Sequence, residues 1–381
     1  MKFFHLSDLH IGKQLHHYSL REDQREILGQ VTEYARQLHP DAILIAGDVY
    51  DKSVPSAEAV RLWDEFLTGL SVISPRIPIL IISGNHDSAE RLQYASALLK
   101  GQKIYLAGEV TEQGMTRVTL TDEYGDVTFY LLPFIKPSHV RHLFPGEEPE
   151  TYTEAVEKLI RNQNIDFINK RNVLISHQFY RGISDPETCD SEIFSVGGLD
   201  QVDASVIRKF DYAALGHLHG AQSVGEEKIR YCGTLLKYSV SEASHQKALH
   251  LVTLGEKGDP LKIEKLTLHP LHEVRKKKGT LSELLAEVSP DERNDFISIT
   301  LTDEEELYKP REQLDQVYSH ILEVRIENSR TRRKLEELDE TVKIQSPAEA
   351  FGEFYQKMQG TRMSEEEERF MDEIFEQVKG E

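Results

Sequence analysis

The segment ILIISGNHD, residues 79–87, joins a short apolar run to three consecutive polar side chains. An uninterrupted apolar run of this length is typical of a strand that is buried on both faces of a parallel sheet. Gly84 allows the backbone to turn sharply as it leaves this strand. The segment therefore predicts that Asn85, His86 and Asp87 lie beyond the carboxyl end of a strand, where open α/β sheets bind their ligands.

Four other predicted strands are followed by short polar clusters in the same way. A single buried histidine is more often a satisfied core residue than a metal ligand, and a single aspartate after a strand is more often a turn residue or a helix cap. Five such clusters in one chain favour a metal centre over these alternatives. In chain order they are Asp8-Leu9-His10, Gly47-Asp48, Gly84-Asn85-His86-Asp87, Ser176-His177 and Gly216-His217-Leu218-His219.

The clusters predict a site with two divalent metal ions. Mixed oxygen and nitrogen ligands suit borderline ions such as Mn²⁺, Fe²⁺ or Zn²⁺. Seven candidate ligands are too many for one ordinary site, so we expect two ions that share the Asp48 carboxylate. In this hypothesis one ion binds Asp8, His10, Asp48 and His219, and the other binds Asp48, Asn85, His177 and His217.

The remaining polar residues of the GNHD cluster are predicted to be catalytic. Two ions about 3.5–4 Å apart can support in-line attack on phosphorus, so the expected chemistry is phosphoester hydrolysis. His86 would donate a proton to the leaving oxygen or stabilise charge in the transition state. Asp87 is expected to orient the His86 imidazole.

The pattern of predicted elements indicates an α/β fold with three parts. Residues 1–269 alternate strands with helices, which are predicted at 20–38, 56–70, 89–100 and 152–169. Residues 270–340 predict a small α+β capping domain, with a strand at 295–302 and a helix at 310–319. Residues 346–380 predict a pair of helices separated by Gly360, each beginning with a capping box.

Composition limits the class of protein. The 381 residues are 39% hydrophobic, which is enough for a sizeable core, and the two cysteines, Cys189 and Cys232, indicate a reducing cytoplasm without disulfides. The sequence shows neither a secretory signal nor an apolar run of about 20 residues, so we expect no membrane partner. The net charge of −20 means that contact with nucleic acid would have to be local, through metal ions and basic clusters.

The order D-x-H, G-D, G-N-H-D, H and G-H-x-H resembles the calcineurin-like metallophosphoesterase superfamily, whose fold is a β-sandwich flanked by helices. Within this superfamily, the sequence at residues 9–13, 21–24 and 47–56 is similar to that of bacterial nuclease subunits. The resemblance to these subunits covers the chain end to end. It implies a Mn²⁺-dependent exonuclease and endonuclease for DNA ends and hairpins in repair and recombination. It also implies a dimer that works with a long coiled-coil ATPase. Archaeal relatives have a second histidine after the G-D motif, where this chain has Asp51-Lys52.

The resemblance also suggests surfaces for DNA and for the partner. DNA contact is predicted at the basic residues Arg275, Lys276, Lys277, Lys278, Arg330, Arg332 and Arg333, for which solvated charge runs are the alternative. The coiled coil is predicted to bind the apolar tail residues Phe351, Phe354, Tyr355, Phe370, Ile374 and Phe375, for which packing against the body is the alternative. The exposed faces of the helices at 56–70 and 89–100 are the expected dimer surface.

Two other interpretations stay open at this point. A small-molecule phosphodiesterase or phosphatase of the same superfamily would carry the same metal site, because one fold and site serve many substrates. Residues 270–381 favour the nuclease, since a small substrate requires no such appendage. A scaffold that has lost its metals is the third interpretation, and the complete set of candidate ligands argues against it.

Overall fold

The computed structural model describes residues 1–144, 146, 149–192, 200–286, 288–290, 292–331, 347–364 and 367–371. The chain divides into two compact units. The first unit consists of Met1–Lys277, Val288–Ile299 and Leu314–Glu323. The second unit consists of Lys278–Glu287, Thr300–Gln313 and Val324–Glu381.

Strands and helices alternate through the first unit, and the second contributes further short elements. The strands are β1 (Lys2–Leu6), β2 (Gln14–Leu15), β3 (Tyr18–Ser19), β4 (Ala42–Ala46), β5 (Ile79–Ile82), β6 (Ile104–Ala107), β7 (Thr116–Asp122), β8 (Gly125–Leu132), β9 (Arg171–His177), β10 (Phe179–Arg181), β11 (Gln201–Asp203), β12 (Tyr212–Gly216), β13 (Gln222–Val224), β14 (Glu226–Tyr231), β15 (Ala248–Thr253), β16 (Lys262–Thr267), β17 (Val274–Gly279), β18 (Phe296–Leu301) and β19 (His320–Ile326). The α-helices are α1 (Arg21–Leu38), α2 (Ala57–Ser71), α3 (Ala89–Leu92), α4 (Ser96–Lys100), α5 (Pro137–Leu143), α6 (Tyr152–Arg161), α7 (Leu281–Ala286), α8 (Pro310–Leu314) and α9 (Pro347–Gln359).

Two six-stranded sheets form the centre of the first unit. The first sheet has the order β16-β15-β1-β4-β5-β6, and β1, β4, β5 and β6 are parallel neighbours. The second has the order β13-β14-β12-β9-β8-β7, in which β14, β12, β9 and β8 are parallel neighbours. Parallel strands place their carboxyl ends at one edge of a sheet, and this edge carries the candidate site.

The core of the first unit has three layers. Alternate residues of both sheets meet between them, as Phe3 and Leu44 do with Phe129 and Ile175. The outer face of the first sheet packs against α1 and α2, and the outer face of the second packs against α5 and α6. The predicted β-sandwich flanked by helices is therefore confirmed.

Two of the helices predicted within residues 1–269 are wrong in length. The helix predicted at 89–100 is split into α3 and α4, because Ala95 lies between them with φ of +60°. The helix predicted at 152–169 ends at Arg161. Beyond it the Asp166 carboxylate accepts hydrogen bonds from the backbone N–H groups of Ile168 and Asn169, which forms a turn in place of helix.

The elements after residue 270 follow the predicted α+β pattern with shorter helices. Strands β17, β18 and β19 form a three-stranded sheet in that order. The helix predicted at 310–319 is only Pro310–Leu314, and α9 begins at Pro347 as the capping pattern predicts. Residues 367–371 are also helical. Among the described residues, no helix combines the length and apolar character that crossing a membrane requires.

A buried arginine ties the two sheets together at the edge opposite the candidate site. Arg171, at the start of β9, pairs with the Asp122 carboxylate at 2.5 and 3.0 Å. The same guanidinium donates to the carbonyls of Gly125 at 2.7 Å and Gly255 at 2.9 Å. Gly255 follows β15 of the first sheet, so one side chain connects both sheets. Its hydrogen bonds hold the pKa of Asp122 below its usual range.

Replacing this arginine should destabilise the fold. We expect Arg171→Leu to lower the free energy of unfolding in urea by about 3–5 kcal/mol. The substitution leaves the Gly125 and Gly255 carbonyls without this donor, and only the Met1 ammonium, 2.7 Å away, still pairs with Asp122. The matched control is Arg36→Leu, whose partner Glu33 is exposed and whose loss should cost about 0–1 kcal/mol. Since the pKa of Asp122 is lowered by folding, the difference between wild type and Arg171→Leu should shrink as the pH falls below about 4. Equal effects of the two substitutions would contradict this role.

Candidate metal centre

The structure brings the seven predicted metal ligands together at one edge of the sandwich. Asp8 and His10 follow β1, Asp48 follows β4 and Asn85 follows β5. From the second sheet, His177 ends β9, and His217 and His219 follow β12. The six carboxylate and imidazole ligands are buried, and Asn85 is half-buried at the mouth of a cleft of about 790 Å³.

Backbone hydrogen bonds hold the ligand-bearing loops against each other. The Asp8 N–H donates to the Gly47 carbonyl at 3.0 Å, and the His10 N–H donates to the Asp48 carbonyl at 2.9 Å. The Asp8 carboxylate in turn accepts the His217 N–H at 3.0 Å, which links the loops of the two sheets. The ligand positions are thus defined by main-chain contacts as well as by side chains.

Four of the candidate ligands have left-handed backbone conformations. The φ angles are +52° at Asp8, +43° at His10, +48° at Asp48 and +107° at His217. Non-glycine residues adopt such angles at a cost of about 1–3 kcal/mol each, and they cluster at functional sites. This concentration of strain supports a functional rather than a structural role for the edge.

Glycine is required at two positions of close backbone approach, Gly84 beside the Asp48 loop of the same sheet and Gly216 where the two sheets meet. A Cβ atom on Gly84 would lie 2.1 Å from Asp48 Oδ1, and one on Gly216 would lie 2.0 Å from the Ala46 carbonyl oxygen. The Gly216 Cβ would also lie 2.8 Å from His177 Nδ1. The two glycines therefore provide the space in which the ligands of both sheets converge.

One group of ligands contains Asp8, His10 and His219. Their ligating atoms lie within 4.8 Å of one another. His10 Nε2 is 3.1 Å from His219 Nε2 and 3.7 Å from Asp48 Oδ2. Two imidazole nitrogens and two carboxylates around one point are a suitable donor set for a borderline divalent ion.

A second group surrounds Asn85 Oδ1. This oxygen lies 3.0 Å from His177 Nε2 and 3.0 Å from His217 Nδ1. His177 Nε2 is also 3.3 Å from Asp48 Oδ2. The same Asp48 oxygen thus faces both groups, so one ion in each group could bind it.

The hydrogen bonds of His177 fix its tautomer. Its Nδ1 lies 2.7 Å from the Ala46 carbonyl oxygen, which can only accept, so Nδ1 carries the hydrogen. In the neutral ring Nε2 then keeps its lone pair, and this is the nitrogen that faces Asp48 and Asn85. A carbonyl behind a ligating histidine is a common way of orienting it toward a metal.

Electrostatics at the cluster favour charged Asp48 and His177 in the absence of a metal. Burial acts to lower the pKa of His177, but the adjacent Asp48 carboxylate raises it to about 9. Burial likewise opposes ionisation of Asp48, but His177 holds the pKa of that carboxyl well below its usual range. A metal ion would replace the His177 proton as the partner of this carboxylate.

The other ligands have the protonation states that burial imposes. Burial lowers the pKa of His217 to about 3 and also lowers the pKa of His10 and His219. These imidazoles are therefore neutral and keep the lone pair that metal binding needs. Burial raises the pKa of Asp8 to about 7, against the opposing charge of His177.

His86 lies beside the cluster and lines the cleft with Asn85 and His217. Its Nδ1 donates to the Asp51 carbonyl at 2.9 Å, and its backbone N–H donates to Asp48 Oδ1 at 2.9 Å. Its ring packs edge-on against His10, with the two centroids 4.8 Å apart. The nitrogen left to exchange a proton with a bound molecule is Nε2.

The predicted contact between Asp87 and the His86 imidazole is wrong. The Asp87 carboxylate accepts backbone N–H groups from Gly84 at 2.9 Å, Tyr50 at 2.9 Å and Val49 at 3.1 Å. It joins the turn after β5 to the turn after β4, and the Asp51 carbonyl holds the imidazole instead. Burial raises the pKa of Asp87 to about 6.

Sequence reasoning missed a buried ion pair behind His219. Glu242 Oε2 lies 2.6 Å from Lys247 Nζ, and this ammonium also donates to the His219 carbonyl at 3.0 Å. Although burial opposes it, His219 and Lys247 hold the pKa of Glu242 below its usual range. Glutamate and lysine five residues apart in a polar stretch are a common surface pattern, so the residue types gave no signal.

The predicted basic cluster at 275–278 is largely paired with carboxylates. It lies on β17, where Lys276 is exposed. The ion pairs are Arg275 with Asp295, Lys277 with Glu292 and Lys278 with Glu327, each at 2.6 Å. Of the second cluster, Arg330 is exposed and donates to the Glu304 carbonyl, while Arg332 and Arg333 lie outside the described residues.

The described part of the tail exposes apolar side chains. Phe354 is 58% exposed and Phe370 is 62% exposed. Phe351 is half-buried and packs against Phe354 with ring centroids 6.2 Å apart, and the Tyr355 hydroxyl donates to Glu367 at 2.9 Å. Ile374 and Phe375 lie outside the described residues.

Comparison with known families identifies the class of protein. Residues 1–221 match the family described as calcineurin-like phosphoesterase, which is more than half of the chain. Residues 267–359 match the family described as type 5 capsule protein repressor C-terminal domain. The chain therefore belongs to the calcineurin-like phosphoesterases. This family implies divalent metal ions, for which the buried carboxylate and imidazole cluster is the candidate position.

A relative in a bacterium places the chain in a more specific family. The chain is 34% identical over 325 residues to the SbcD component of the nuclease SbcCD from Staphylococcus epidermidis (strain ATCC 12228 / FDA PCI 1200), covering 84% of each protein. At this identity over most of both chains, the two proteins belong to one family, that of the SbcD nuclease components.

The solved structures that match this chain are more distant in sequence than the Staphylococcus epidermidis relative. They include a dimetal phosphatase from Danio rerio, 13% identical, with a TM-score of 0.40 over 70% of this chain and 95% of that chain. Another is GAP50, the anchor in the inner membrane complex of Plasmodium, 13% identical, with a TM-score of 0.36 over 71% of this chain and 89% of that chain.

Metal binding should release protons at neutral pH. Since the pKa of His177 is about 9 without metal, its proton must leave when Nε2 becomes a ligand, and Asp8 contributes part of a second proton near pH 7. Titration calorimetry with Mn²⁺ at pH 7 should therefore show release of about one proton or more when buffers of different ionisation enthalpy are compared. The affinity should rise with pH and level off near pH 9. A binding enthalpy that is the same in all buffers would contradict the predicted charge on His177.

Proposed function

We propose that this chain is a two-metal DNA nuclease subunit, a double-strand exonuclease and a single-strand or hairpin endonuclease. In this proposal it acts with the SbcC ATPase in DNA end processing, repair and recombination, and the favoured ion is Mn²⁺. The observation that carries the proposal is the convergence of six buried or half-buried candidate ligands from two sheets around the Asp48 carboxylate. The name of the Staphylococcus epidermidis relative supplies the nuclease and its partner.

We assign the metal ligands as the donor groups suggest. One ion would be held by Asp8, His10, Asp48 and His219, and the other by Asp48, Asn85, His177 and His217. Such ions would supply Lewis-acid activation of the scissile phosphate and of the attacking water. The protein supplies neutral imidazoles, a buried shared carboxylate and a dry surrounding that strengthens every charge interaction at the site.

His86 is the proposed catalytic residue that is not a metal ligand. The Asp51 carbonyl fixes its Nδ1 hydrogen, so proton exchange with the leaving oxygen would occur at Nε2. The ring is half-buried at the cleft, beside the ligand groups, where a phosphodiester could reach it. Asp87 is proposed to act indirectly, because its carboxylate connects the loops that carry Asp48 and Asn85.

We also propose surfaces that bind DNA and the ATPase. Residues 1–269 would be the nuclease domain, residues 270–340 a capping domain that contacts DNA, and residues 346–380 the segment that binds the SbcC coiled coil. DNA contact is proposed at Arg275, Lys276, Lys277, Lys278, Arg330, Arg332 and Arg333, where the exposed Lys276 offers the most available charge of the first cluster. A DNA substrate in a bacterial cell implies a cytoplasmic location.

A homodimer within a heterotetramer is also proposed. Large apolar side chains are exposed on the predicted dimer helices, at Val60 of α2, at Leu98 of α4 and at Tyr94 between α3 and α4. Aromatic residues exposed on a protein surface are enriched at the centres of interfaces. The small-molecule phosphatase remains the second candidate function, because the volume of the cleft, about 790 Å³, is within the range of pockets that bind small molecules.

The nuclease is tested directly with a labelled DNA end. Purified protein treated with a chelator and then supplied with Mn²⁺ should cleave the DNA, alone or with the ATPase. His86→Asn should lower the rate by about 10²–10⁴-fold, the range expected for loss of a general acid, while Mn²⁺ occupancy stays at the wild-type level.

Two control variants separate the roles at the site. Asp48→Asn should lose metal as well as activity, because both groups share that carboxylate. Asp64→Asn, a change of the same kind on the surface of α2, should leave both unchanged. Absence of cleavage by wild-type protein with Mn²⁺ would overturn the nuclease proposal, and loss of metal in His86→Asn would make His86 a ligand.

Removal of the tail should abolish the complex with SbcC. A chain that ends at Gln345 should retain Mn²⁺ binding but no longer co-purify with the ATPase, because the exposed aromatic residues of α9 and of the following helix are lost. In the full chain, Phe354→Ala combined with Phe370→Ala should weaken the complex at least about tenfold, because it removes two exposed aromatic groups that the partner would bury. Tyr308→Ala removes an exposed aromatic residue outside the tail and should have no effect. Undiminished binding by the truncated chain would contradict the assignment.

A further inference from the structure

The segment 189–192 contacts the metal ligand His219 from two directions. Glu192 Oε1 accepts the His219 backbone N–H at 2.6 Å, and Ser191 Oγ lies 2.6 Å from the ring nitrogen Nδ1. The segment is itself anchored, because the Glu192 carboxylate accepts the Cys189 N–H at 2.8 Å and Ser241 Oγ accepts the Asp190 N–H at 3.0 Å. None of these residues belongs to the strand-end clusters that carry the ligands.

The Glu242 carboxylate determines the direction of the hydrogen bond that Ser191 makes. Ser191 Oγ lies 2.6 Å from Glu242 Oε1, and this carboxylate is also bound by Lys247 Nζ at 2.6 Å and by the Ser239 hydroxyl at 2.9 Å. An ionised carboxylate that pairs with an ammonium can only accept. The single hydrogen of the Ser191 hydroxyl is therefore donated to Glu242.

This direction fixes the tautomer of His219. With its hydrogen used, the Ser191 oxygen can only accept from the imidazole, so Nδ1 of His219 must carry a hydrogen. Nε2 then keeps the lone pair, and it is the nitrogen that lies 3.1 Å from Nε2 of His10 in the first ligand group. The opposite tautomer would place a hydrogen on Nε2 and leave no lone pair for a metal.

We propose that Ser191 is a positioning residue that connects Glu242 to His219 and so sets the metal affinity of the first ligand group. The chain of contacts runs from Lys247 to Glu242, from Glu242 to Ser191 and from Ser191 to the imidazole, and His219 and Glu242 are both buried. Partners behind a ligating histidine commonly change metal affinity by about 10–100-fold when they are removed. The proposal rests on the proposed two-metal function, whose ligands it concerns.

The test compares three variants of the full chain by metal binding and by imidazole chemistry. Free Mn²⁺ measured by electron paramagnetic resonance gives the affinities, and ¹⁵N NMR of histidine-labelled, metal-free protein gives the tautomer of His219. Ser191→Ala should weaken one of two Mn²⁺ sites by about 10–100-fold and give a mixture of the two tautomers. Ser239→Ala removes a hydroxyl from the same carboxylate without touching the imidazole, and should change the affinity by less than about threefold. Ser191→Thr keeps the hydroxyl and should restore both properties.

The outcomes separate this inference from the proposed function. Wild-type Mn²⁺ affinities in Ser191→Ala, with His219 still protonated at Nδ1, would overturn the role of Ser191 and leave the two-metal proposal standing. Equal weakening in Ser191→Ala and Ser191→Thr would also overturn it, because packing rather than the hydroxyl would then be responsible. If wild-type protein binds no Mn²⁺, the two-metal proposal fails, whereas the tautomer of His219 in the metal-free variants still decides the role of Ser191.

Discussion

The close approach of the two sheets at one edge is the constraint on which the candidate metal centre depends. There is no room for a side chain at Gly216, where the backbone of one sheet meets the Ala46 carbonyl of the other. The carboxylates and the amide come from the first sheet, and the imidazoles of His177, His217 and His219 come from the second. The centre therefore exists only while the sheets are packed together, and the apolar layer between them is as necessary to it as any ligand.

Strain and burial at this edge have a common origin. The ligand-bearing loops turn immediately after buried strands, and the turns require left-handed backbone at Asp8, His10, Asp48 and His217. Such conformations persist only where the surrounding structure over-determines them. Here the surrounding structure includes the main-chain hydrogen bonds between the loops and the three N–H groups held by Asp87. The candidate ligands are consequently preorganised in a buried environment, where charge interactions are strong.

Features that depend on residue type and spacing could be predicted from the sequence. Fully apolar runs such as Ile79–Ile82 identify buried strands, and polar residues directly after them identify the edge where the ligands meet. Contacts made by the main chain do not depend on residue type, so the hydrogen bond from His86 to the Asp51 carbonyl could not be predicted. The break at Ala95 was missed for a related reason, because alanine favours helix and its residue type does not indicate the left-handed conformation that it adopts here. The Glu242 and Lys247 pair was missed because burial cannot be read from two charged residues alone.

The order of the ligands along the chain has a consequence for biosynthesis. The first candidate ligand is residue 8 and the last is residue 219, and the His217 N–H that Asp8 accepts comes from 209 residues further on. At about 5–20 residues per second, ribosomes need roughly 11–42 s to make the chain between the first candidate ligand and the last. During that interval the early carboxylates and imidazoles cannot form the centre, because the second sheet is still incomplete. Metal loading should therefore follow domain folding, so that the ion selected is decided by a finished cavity and not by a nascent chain.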